Sequence, residues 1–300
     1  MTEPSVLAGY SPDERGDDAL ALAALVARAA GAPLAVANVH PPAWPARGPG
    51  AVDAEWVAYL KEQAGAALDR AAGRLAGLKI PKRDLTFTVH AHRGSGRGLS
   101  EVAKESGAQM IVIGSAPRGR RGRVAIGSTA DQLLHGAPVP VLLAPRGYAE
   151  DAPSRLERLS VAYWRRRDAE PGLAAAVSLA AALGLPVRLV TLVLRPPGLP
   201  ARFRGAGEIV ERQLAQAERD LAHAAARVGP EATVTTEAVA GAGIAKALGG
   251  VEMGKGELLA CMSRHDGPLR KVFLGESSGK IVRAAPCPVL VLPRGGKSPG

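Results

Sequence analysis

Cysteine, histidine and aromatic residues are scarce in this 300-residue chain, which has two cysteines, six histidines and 3% aromatics. Two cysteines cannot build a disulfide scaffold or a four-cysteine zinc site, and such low usage fits a reducing cytoplasm. The histidines are dispersed; His90 and His92 share a predicted strand face, but two ligands do not complete a metal site. The sequence therefore predicts a cytoplasmic protein that is stabilised by its core.

Long hydrophobic runs are also missing. The longest apolar stretch, Gly172–Val187, has about 16 residues, contains Pro186 and runs into Arg188, whereas a membrane-spanning helix needs ~20. The N-terminal residues 1–4 lack the basic region of a signal peptide, and the following apolar run stops at Ser11–Glu14. We therefore expect neither a membrane span nor export.

The chain is basic, with a net charge of 38 − 28 = +10. A positive surface attracts nucleic acid or other anionic partners. The arginines are mostly scattered, however, and the clusters at 118–123 and 165–167 lack interleaved aromatics or a helix-turn-helix pattern. A solvated basic surface is favoured over nucleic-acid recognition.

The two halves of the chain repeat each other. Residues 137–146 (APVPVLLAPR) and 285–294 (APCPVLVLPR) are identical at seven of ten positions, at an offset of 148. The match extends backwards without a gap over about 36 residues, and near the start of each half Tyr10 matches Tyr163 at an offset of 153. The repeat predicts two domains, 1–147 and 156–295, with a linker at 148–155 and a tail at 296–300.

Each half alternates strand and helix signals. The first half predicts strands at Val6–Tyr10, Leu34–His40, Leu85–His92, Met110–Ile113 and Val139–Ala144, and helices at Asp17–Ala30, Ala51–Leu78, Leu99–Ser106 and Ser128–His135. The second half predicts strands at Leu159–Tyr163, Val187–Leu194, Thr233–Val239, Glu257–Met262 and Cys287–Leu292, and helices at Ala169–Leu183, Glu208–Val228, Ile244–Leu248 and Ser277–Ala284. Apolar strands that alternate with helices indicate an α/β fold: two doubly wound, open, parallel five-stranded sheets in tandem, with helices on both faces.

A loop rich in glycine and arginine follows the predicted strand Met110–Ile113. In doubly wound sheets, ligands bind beyond the carboxyl ends of the strands. Glycines let backbone amides approach an anion, and a helix N-terminus and arginines favour its charge. The residues that would hold a phosphate are Gly114, Arg118, Gly127, Ser128 and Thr129. The alternative is a flexible basic loop in which Ser128 serves only as the N-cap of a helix.

This segment resembles the signature of universal stress proteins: glycine, two residues, glycine, nine residues, glycine, then serine or threonine. The resemblance rests on Gly114, on the nine residues between Pro117 and Gly127, on Ser128, and on the strand residues 137–142. Through the repeat it covers nearly the whole chain as a tandem of two such domains. It implies a five-stranded parallel fold and, in ATP-binding members, a triphosphate on this loop.

The resemblance also implies further contacts and an internal pairing. Ser11, at the end of the first strand, would lie near the nucleoside, and Val39 would contact adenine, although a valine there suits the core equally well. Members of the family commonly dimerise through the last strand, and an open edge strand is a liability. The strands Val139–Ala144 and Cys287–Leu292 are therefore expected to pair or to lie side by side, as a dimer within one chain.

The departures from the family pattern are unequal between the halves. Pro117 replaces the second glycine and removes a backbone donor, at a cost of ~1.5–3 kcal/mol for a bond to a charged group. Ser11 stands where ATP-binding members usually carry aspartate, with Asp13 close by. In the second half the equivalents of Gly114, Pro117 and Ser128 are Met262, His265 and Glu276. We expect at most one nucleotide per chain, in the first half.

Two other glycine-rich segments imitate nucleotide motifs. Residues 275–281 have three residues instead of four between the P-loop glycines, and isoleucine replaces the magnesium-binding hydroxyl. Residues 94–98 lack the dinucleotide-binding spacing and are expected to form a loop that enters a helix. The pair His265–Asp266 is more typical of a turn than of acid–base chemistry.

The favoured hypothesis is a stress-responsive regulator that binds ATP or a related adenine nucleotide in its first half. The alternative is an interaction scaffold of the same fold that binds an unidentified protein partner and no nucleotide. An enzyme acting on ATP is the least favoured, because no residue of the loop is an evident general base. A homodimer stays open under each hypothesis.

The two cysteines are predicted to stay reduced. Cys261 is expected near the end of its strand and Cys287 at the start of the neighbouring parallel strand, several residues apart at ~3.3 Å each. A disulfide requires Cα atoms within about 7 Å. Thiol titration of the unfolded, non-reduced protein should find two free thiols per chain, and fewer would contradict this expectation.

Overall fold

A computed structural model describes residues 5–42, 51–78, 80–165, 169–195, 206–229, 232–262 and 276–293. The strands of the first half are β1 (Ser5–Gly9), β2 (Leu34–His40), β3 (Leu85–Ala91), β4 (Ala108–Gly114) and β5 (Val141–Ala144), and its helices are α1 (Glu14–Ala30), α2 (Ala51–Leu75), α3 (Ser95–Ser106) and α4 (Ser128–Leu134). The strands of the second half are β6 (Arg158–Ala162), β7 (Val187–Leu194), β8 (Val234–Gly241), β9 (Glu257–Met262) and β10 (Val289–Leu292), and its helices are α5 (Ala169–Ala182), α6 (Ala206–Ala226), α7 (Ile244–Leu248) and α8 (Glu276–Ala284).

The ten strands form one continuous sheet in the order β3-β2-β1-β4-β5-β10-β9-β6-β7-β8. All neighbours within a half are parallel, as the predicted doubly wound fold requires. The halves join where β5 and β10 pair antiparallel, which confirms the expected pairing of the last strands. The two predicted five-stranded sheets are therefore the two halves of one sheet.

The pairing of β5 with β10 has a two-fold symmetric register. Leu142 lies opposite Leu290, and these two residues are equivalent at the repeat offset of 148. The flanking pairs are Val141–Val291 and Leu143–Val289. A local two-fold axis therefore passes between the two leucines and relates the halves.

The helices cover both faces of the sheet, because the strands alternate apolar side chains between two cores. Val6 and Ala8 of β1 belong to the core under α1, α2, α5 and α6, whereas Leu7 belongs to the core under α3, α4, α7 and α8. Cys261 and Cys287 are both buried and free, as predicted. Among the described residues, no helix is both long and apolar enough to cross a membrane.

Several element boundaries differ from the prediction for identifiable reasons. Strands β5 and β10 begin two residues later than predicted, directly after Pro140 and Pro288, which have no N–H to donate to a ladder. Helix α3 begins at Ser95, inside the predicted loop, because the Gln132 side chain accepts hydrogen bonds from the N–H groups of Gly96 (3.1 Å) and Arg97 (3.3 Å). A side chain of another helix thus satisfies the first turn of α3.

A buried network of charges lies within the second half. Glu257 on β9 is 1% exposed and accepts hydrogen bonds from Arg188 of β7 and Ser160 of β6. Its other oxygen accepts a bond from Arg158 at 2.8 Å, and Arg188 also pairs with Glu237 at 2.8 Å. The repeat offsets match Ser160, Arg188 and Glu257 to three uncharged residues of the first half, namely Leu7, Ala35 and Gln109. The network is therefore specific to the second half.

Replacing Glu257 by glutamine should destabilise the protein at neutral pH by about 3–5 kcal/mol, because the buried Arg188 loses one of its two carboxylate partners and the partly buried Arg158 loses its ion pair with Glu257. Burial alone would raise the pKa of Glu257, but hydrogen bonds from Arg158 and Ser160 and the charge of Arg188 outweigh it and lower the pKa. This contribution is therefore fully present above the unfolded pKa, ~4.3, and is lost as the pH falls through the folded pKa.

Urea unfolding at pH 7 and at pH 3.5 measures both effects, and the difference between wild type and Glu257→Gln should shrink at the lower pH. The control is Glu150→Gln, which removes an exposed ion pair with Arg121 and should cost no more than ~1 kcal/mol. Equal losses in the two variants would contradict a buried network.

Candidate functional site

A cavity of about 250 Å³ opens at the carboxyl ends of β1, β2 and β4. This is where a doubly wound sheet binds its ligand, since the strand order reverses between β1 and β4. The lining comes from these strand ends and from the first turns of α1, α3 and α4. The residues are Gly9, Tyr10, Ser11, Arg15, Gly16, Ala37, Asn38, Val39, Ser95, Leu99, Ile113, Gly114 and Thr129.

Four of the predicted site residues line this cavity, namely Ser11, Val39, Gly114 and Thr129. The other three do not. Gly127 and Ser128 directly precede Thr129, and Arg118 is exposed on the glycine- and arginine-rich loop. Gly127, not Ser128, is the N-cap residue of α4, and no side chain caps this helix. The exposed Ser128 is its first helical residue, so the predicted N-cap role of Ser128 is wrong.

The floor of the cavity depends on Gly114 having no side chain. A Cβ atom at this position would lie 2.1 Å from the backbone carbonyl oxygen of Arg15. The end of β4 and the first turn of α1 are therefore in direct backbone contact, and only glycine allows this approach. Met262, the equivalent residue of the second half, carries a side chain that packs against α5: a Cβ on Gly172 would lie 2.3 Å from its sulfur.

Asp13 is the N-cap of α1 and not a lining residue. Its Oδ1 accepts hydrogen bonds from the N–H groups of Arg15 (3.1 Å) and Gly16 (3.2 Å) and from the Ser11 hydroxyl (2.8 Å). Partial burial would raise the pKa of Asp13, but the hydrogen bonds from Arg15, Ser11 and Gly16 outweigh it and lower the pKa. The carboxylate at the end of β1 is thus engaged in starting the helix, with Arg15 paired to it at 2.5 Å.

The opposite wall is the contact between α3 and α4. The hydroxyl oxygens of Ser95 and Thr129 lie 2.5 Å apart at the first turns of the two helices. Gly98 packs on β2, where a Cβ would approach the Val39 side chain to 2.7 Å. The glycines at 94–98 therefore serve close packing of a helix, and the predicted loop there is wrong.

The glycine- and arginine-rich loop is closed by contacts within the protein. The Ala116 N–H donates to the Ala125 carbonyl (2.9 Å), and Arg146 donates to the Gly119 carbonyl (3.1 Å) while pairing with Glu14 (3.3 Å). Arg121 pairs with Glu150, and Arg123 donates to the Ala284 carbonyl of α8 (2.6 Å). Arg118 and Arg120 make no ion pair with any residue that the structure describes, so they are the loop cations open to a ligand.

Sequence reasoning did not identify Tyr10, Arg15, Asn38 and Ser95 as cavity residues. The Asn38 side chain donates to the Tyr10 carbonyl at 3.0 Å and so fixes the mouth between β1 and β2. The glycines around Ser95 could have indicated that this segment packs tightly against β2 and so brings Ser95 to the cavity. His265, Asp266 and the whole segment 263–275 lie outside the described residues, as does the side chain of Glu276.

The cavity residues do not form a metal centre. Within the described part of the chain, no group of three histidine, cysteine or acidic side chains is arranged to hold a metal ion. Outside the cavity, Glu101 of α3 contacts His90 of β3 (2.9 Å between Nε2 and Oε2) and His92 (3.6 Å between Nε2 and Oε1). The chemistry available at the cavity is binding by backbone, hydroxyl and arginine groups.

Comparison with known proteins gives consistent matches. The sequence profile of the universal stress protein family matches residues 4–145 and again residues 157–293. A universal stress protein of Mycobacterium tuberculosis is 37% identical over 296 residues, which cover 96% of this chain and 99% of the relative. One from Mycolicibacterium smegmatis is 31% identical over 164 residues, covering 53% of each chain.

Solved structures share the fold. A universal stress protein from Archaeoglobus fulgidus superposes with a TM-score of 0.64 at 17% identity, over 99% of this chain and 100% of that one. A putative universal stress protein from Pseudomonas aeruginosa gives a TM-score of 0.57 at 14% identity, over 97% and 93% of the two chains. At these identities the likeness concerns the fold alone.

Substituting Gly114 by alanine should destabilise the protein by about 1–3 kcal/mol, since the added methyl group meets the Arg15 carbonyl and must displace backbone. The control is Gly65→Ala in α2, where a Cβ meets nothing within 4 Å; it should be stabilising by about 0.5–1 kcal/mol. Urea unfolding of both variants compares them. A Gly114→Ala protein as stable as wild type would contradict the contact between β4 and α1.

Proposed function

The chain belongs to the universal stress protein family, and on this premise we propose that its first half binds ATP or a related adenine nucleotide in the cavity beyond β1, β2 and β4. Membership supports a stress-related role, which we propose is regulatory and responds to nucleotide occupancy. The observation that carries the proposal is that Val39 lines this cavity at a point beyond the end of β1, where its backbone N–H and C=O have no strand beside them to pair with.

Val39 offers a hydrogen-bonding edge to a base. In a parallel strand, successive residues direct their backbone groups to alternate neighbours. The Ala37 carbonyl accepts from Tyr10 on the β1 side (2.8 Å), and the His40 carbonyl accepts from His92 on the β3 side (2.9 Å). By this alternation Val39 directs its N–H and C=O to the side of Ala37, beyond the end of β1, and we propose that they face the cavity that Val39 lines. Such a donor and acceptor pair complements the Watson–Crick edge of adenine.

The mouth of the cavity supports binding of the phosphates. Thr129 lines the cavity and Gly127 and Ser128 precede it, while Arg118, which has no ion pair among the described residues, lies on the adjoining loop. Hydroxyl, backbone N–H and guanidinium groups are the usual donors to phosphate. The volume of about 250 Å³ is below the ~300–1,000 Å³ typical of pockets for drug-sized ligands, which favours an enclosed nucleoside with phosphates directed outward to this loop.

The second half is proposed to bind no nucleotide. In place of Gly114 this half has Met262, whose side chain packs against Gly172 in the first turn of α5 and so takes up room at the end of β9. An expected stoichiometry of one nucleotide per chain follows.

One observation favours the alternative of a scaffold that binds no nucleotide. The loop satisfies several of its polar groups internally, through Arg146 on the Gly119 carbonyl and Ala116 on the Ala125 carbonyl. Pro117 in addition lacks the N–H of the glycine that the family carries there. These polar groups of the loop are therefore paired within the protein, as a scaffold that binds no nucleotide would require.

Calorimetry with ATP and with adenosine tests the proposal on wild type and on Ser128→Glu, which copies the second half into the first. Wild type should bind one ATP per chain. The new carboxylate stands at the mouth where phosphates would lie, so ATP affinity should fall about tenfold or more, which corresponds to ~1.4 kcal/mol of repulsion. Adenosine affinity should be unchanged.

The control is Thr86→Glu, which adds the same charge at an exposed position near the amino end of β3, away from the cavity. It should bind ATP as wild type does. Two ATP per chain, or equal ATP affinity in wild type and Ser128→Glu, would refute the assignment. Absence of ATP binding to wild type would select the scaffold.

A further inference from the structure

A second cavity, about 350 Å³ in volume, lies where the two halves meet. We call it the seam cavity. Its walls come from the C-terminal parts of α1 and α5, the amino end of β4, the segment 138–140 and the end of β10. Apolar side chains such as Val26, Leu179 and Leu292 dominate the lining, with Ser5 and Gln109 among its polar members. Because it lies at the amino ends of β1 and β4, it is distinct from the proposed nucleotide site.

The local two-fold axis between Leu142 and Leu290 generates an equivalent of this space on the other side of the seam. The repeat offset matches three wall residues, Gln109, Val139 and Pro293, to Glu257, Cys287 and Pro145. The equivalent space therefore lies between α1, the start of β9, the start of β10 and the chain that leaves β5. We call it the mate.

The chain that leaves β5 and borders the mate carries the buried ring of Tyr148, which interacts with Cys287, a wall residue of the mate. Tyr148 is 8% exposed and belongs to the same core cluster as Leu258 of β9. The buried carboxylate of Asp18 on α1 accepts hydrogen bonds from the N–H groups of Gly147 and Ala149, at 2.8 Å each. The turn that carries the ring is thereby fixed to α1.

The ring of Tyr148 is held by its shape and apolar contacts. Its hydroxyl is buried and has no hydrogen-bond partner among the residues that the structure describes. Burial, with a further contribution from Cys287 in the wall of the mate, raises the pKa of Tyr148. The mate therefore accommodates an aromatic ring although the hydroxyl of that ring makes no hydrogen bond with a described residue.

The sequence supplies no such ring to the seam cavity. At the repeat offset of 148, the residue equivalent to Tyr148 is Gly296. At the offset of 153, the residue equivalent to Leu156, a buried residue directly after the linker, is Glu3. Both positions lie outside the described residues, but their identities alone exclude an aromatic side chain.

We propose that the seam cavity binds a small planar aromatic molecule in the place that the Tyr148 ring takes in the mate. A cavity of about 150 Å³ lined by apolar side chains is enough to bind benzene, so 350 Å³ accommodates a ring of one or two cycles with a substituent. Ser5 and Gln109 provide hydrogen-bonding groups in an otherwise apolar wall. A phenol or an indole therefore fits better than a pure hydrocarbon.

Calorimetry with 4-methylphenol, which is the tyrosine side chain itself, tests the proposal on the full chain. Wild type should bind one molecule saturably. Ala175→Trp, on the cavity-facing side of α5, should weaken binding at least tenfold because the indole occupies the space. Ala174→Trp, at the exposed neighbouring position of the same helix, should bind as wild type does.

A second variant tests the equivalence of the two spaces. Tyr148→Ala empties the mate, so it should bind two molecules of 4-methylphenol per chain, and the ligand should raise its melting temperature more than that of wild type. No saturable binding to wild type, unchanged affinity in Ala175→Trp, or a single site in Tyr148→Ala would each overturn the proposal. Binding only to a chain shortened after Pro293 would mean that the tail fills the cavity, which also overturns it.

Discussion

The antiparallel pairing of β5 with β10 is the contact on which the whole molecule depends. Each half alone would end in a short, fully apolar strand, and such an open edge is a template for unwanted association. Pairing the two edges buries Leu142 and Leu290 completely and makes ten strands continuous. Because equivalent residues meet at the centre, one contact fixes the relation between the halves as two-fold.

The backbones of the two halves follow this two-fold symmetry, whereas their side chains differ at a few equivalent positions. Glycine at 114 brings β4 into backbone contact with the first turn of α1, whereas methionine at 262 packs its side chain against Gly172 of α5 in the second half. The second half instead buries Glu257 and Arg188 where the first has uncharged residues. Both changes concern side chains and leave the order and pairing of the strands unaltered, which is why both halves keep the same fold while offering different sites.

Continuous apolar strands between helices were enough to predict the parallel sheet, and the family resemblance that accompanied them is confirmed by two profile matches. Contacts between distant residues were not predictable from local pattern. The start of α3 depends on Gln132, 36 residues further along the chain, and the loop that carries Arg118 is closed by Arg146 and Glu14. Gly114 was predicted as a phosphate-loop residue from its spacing to Gly127 and Ser128, whereas its backbone contact with Arg15, far earlier in the chain, was not predictable from local pattern.

Helix α1 connects the features that sequence reasoning treated separately. Its first turn is fixed by the Asp13 cap and floors the cavity at Gly114, and one turn later Asp18 holds the turn that carries Tyr148. Burial raises the pKa of Asp18, although its two backbone hydrogen bonds act in the opposite direction. At the other end of the same helix, Val26 forms a wall of the seam cavity. Because α1 is capped at both ends and largely buried between them, a single helix supplies contacts to the proposed nucleotide cavity, to the turn that carries Tyr148 and to the seam cavity.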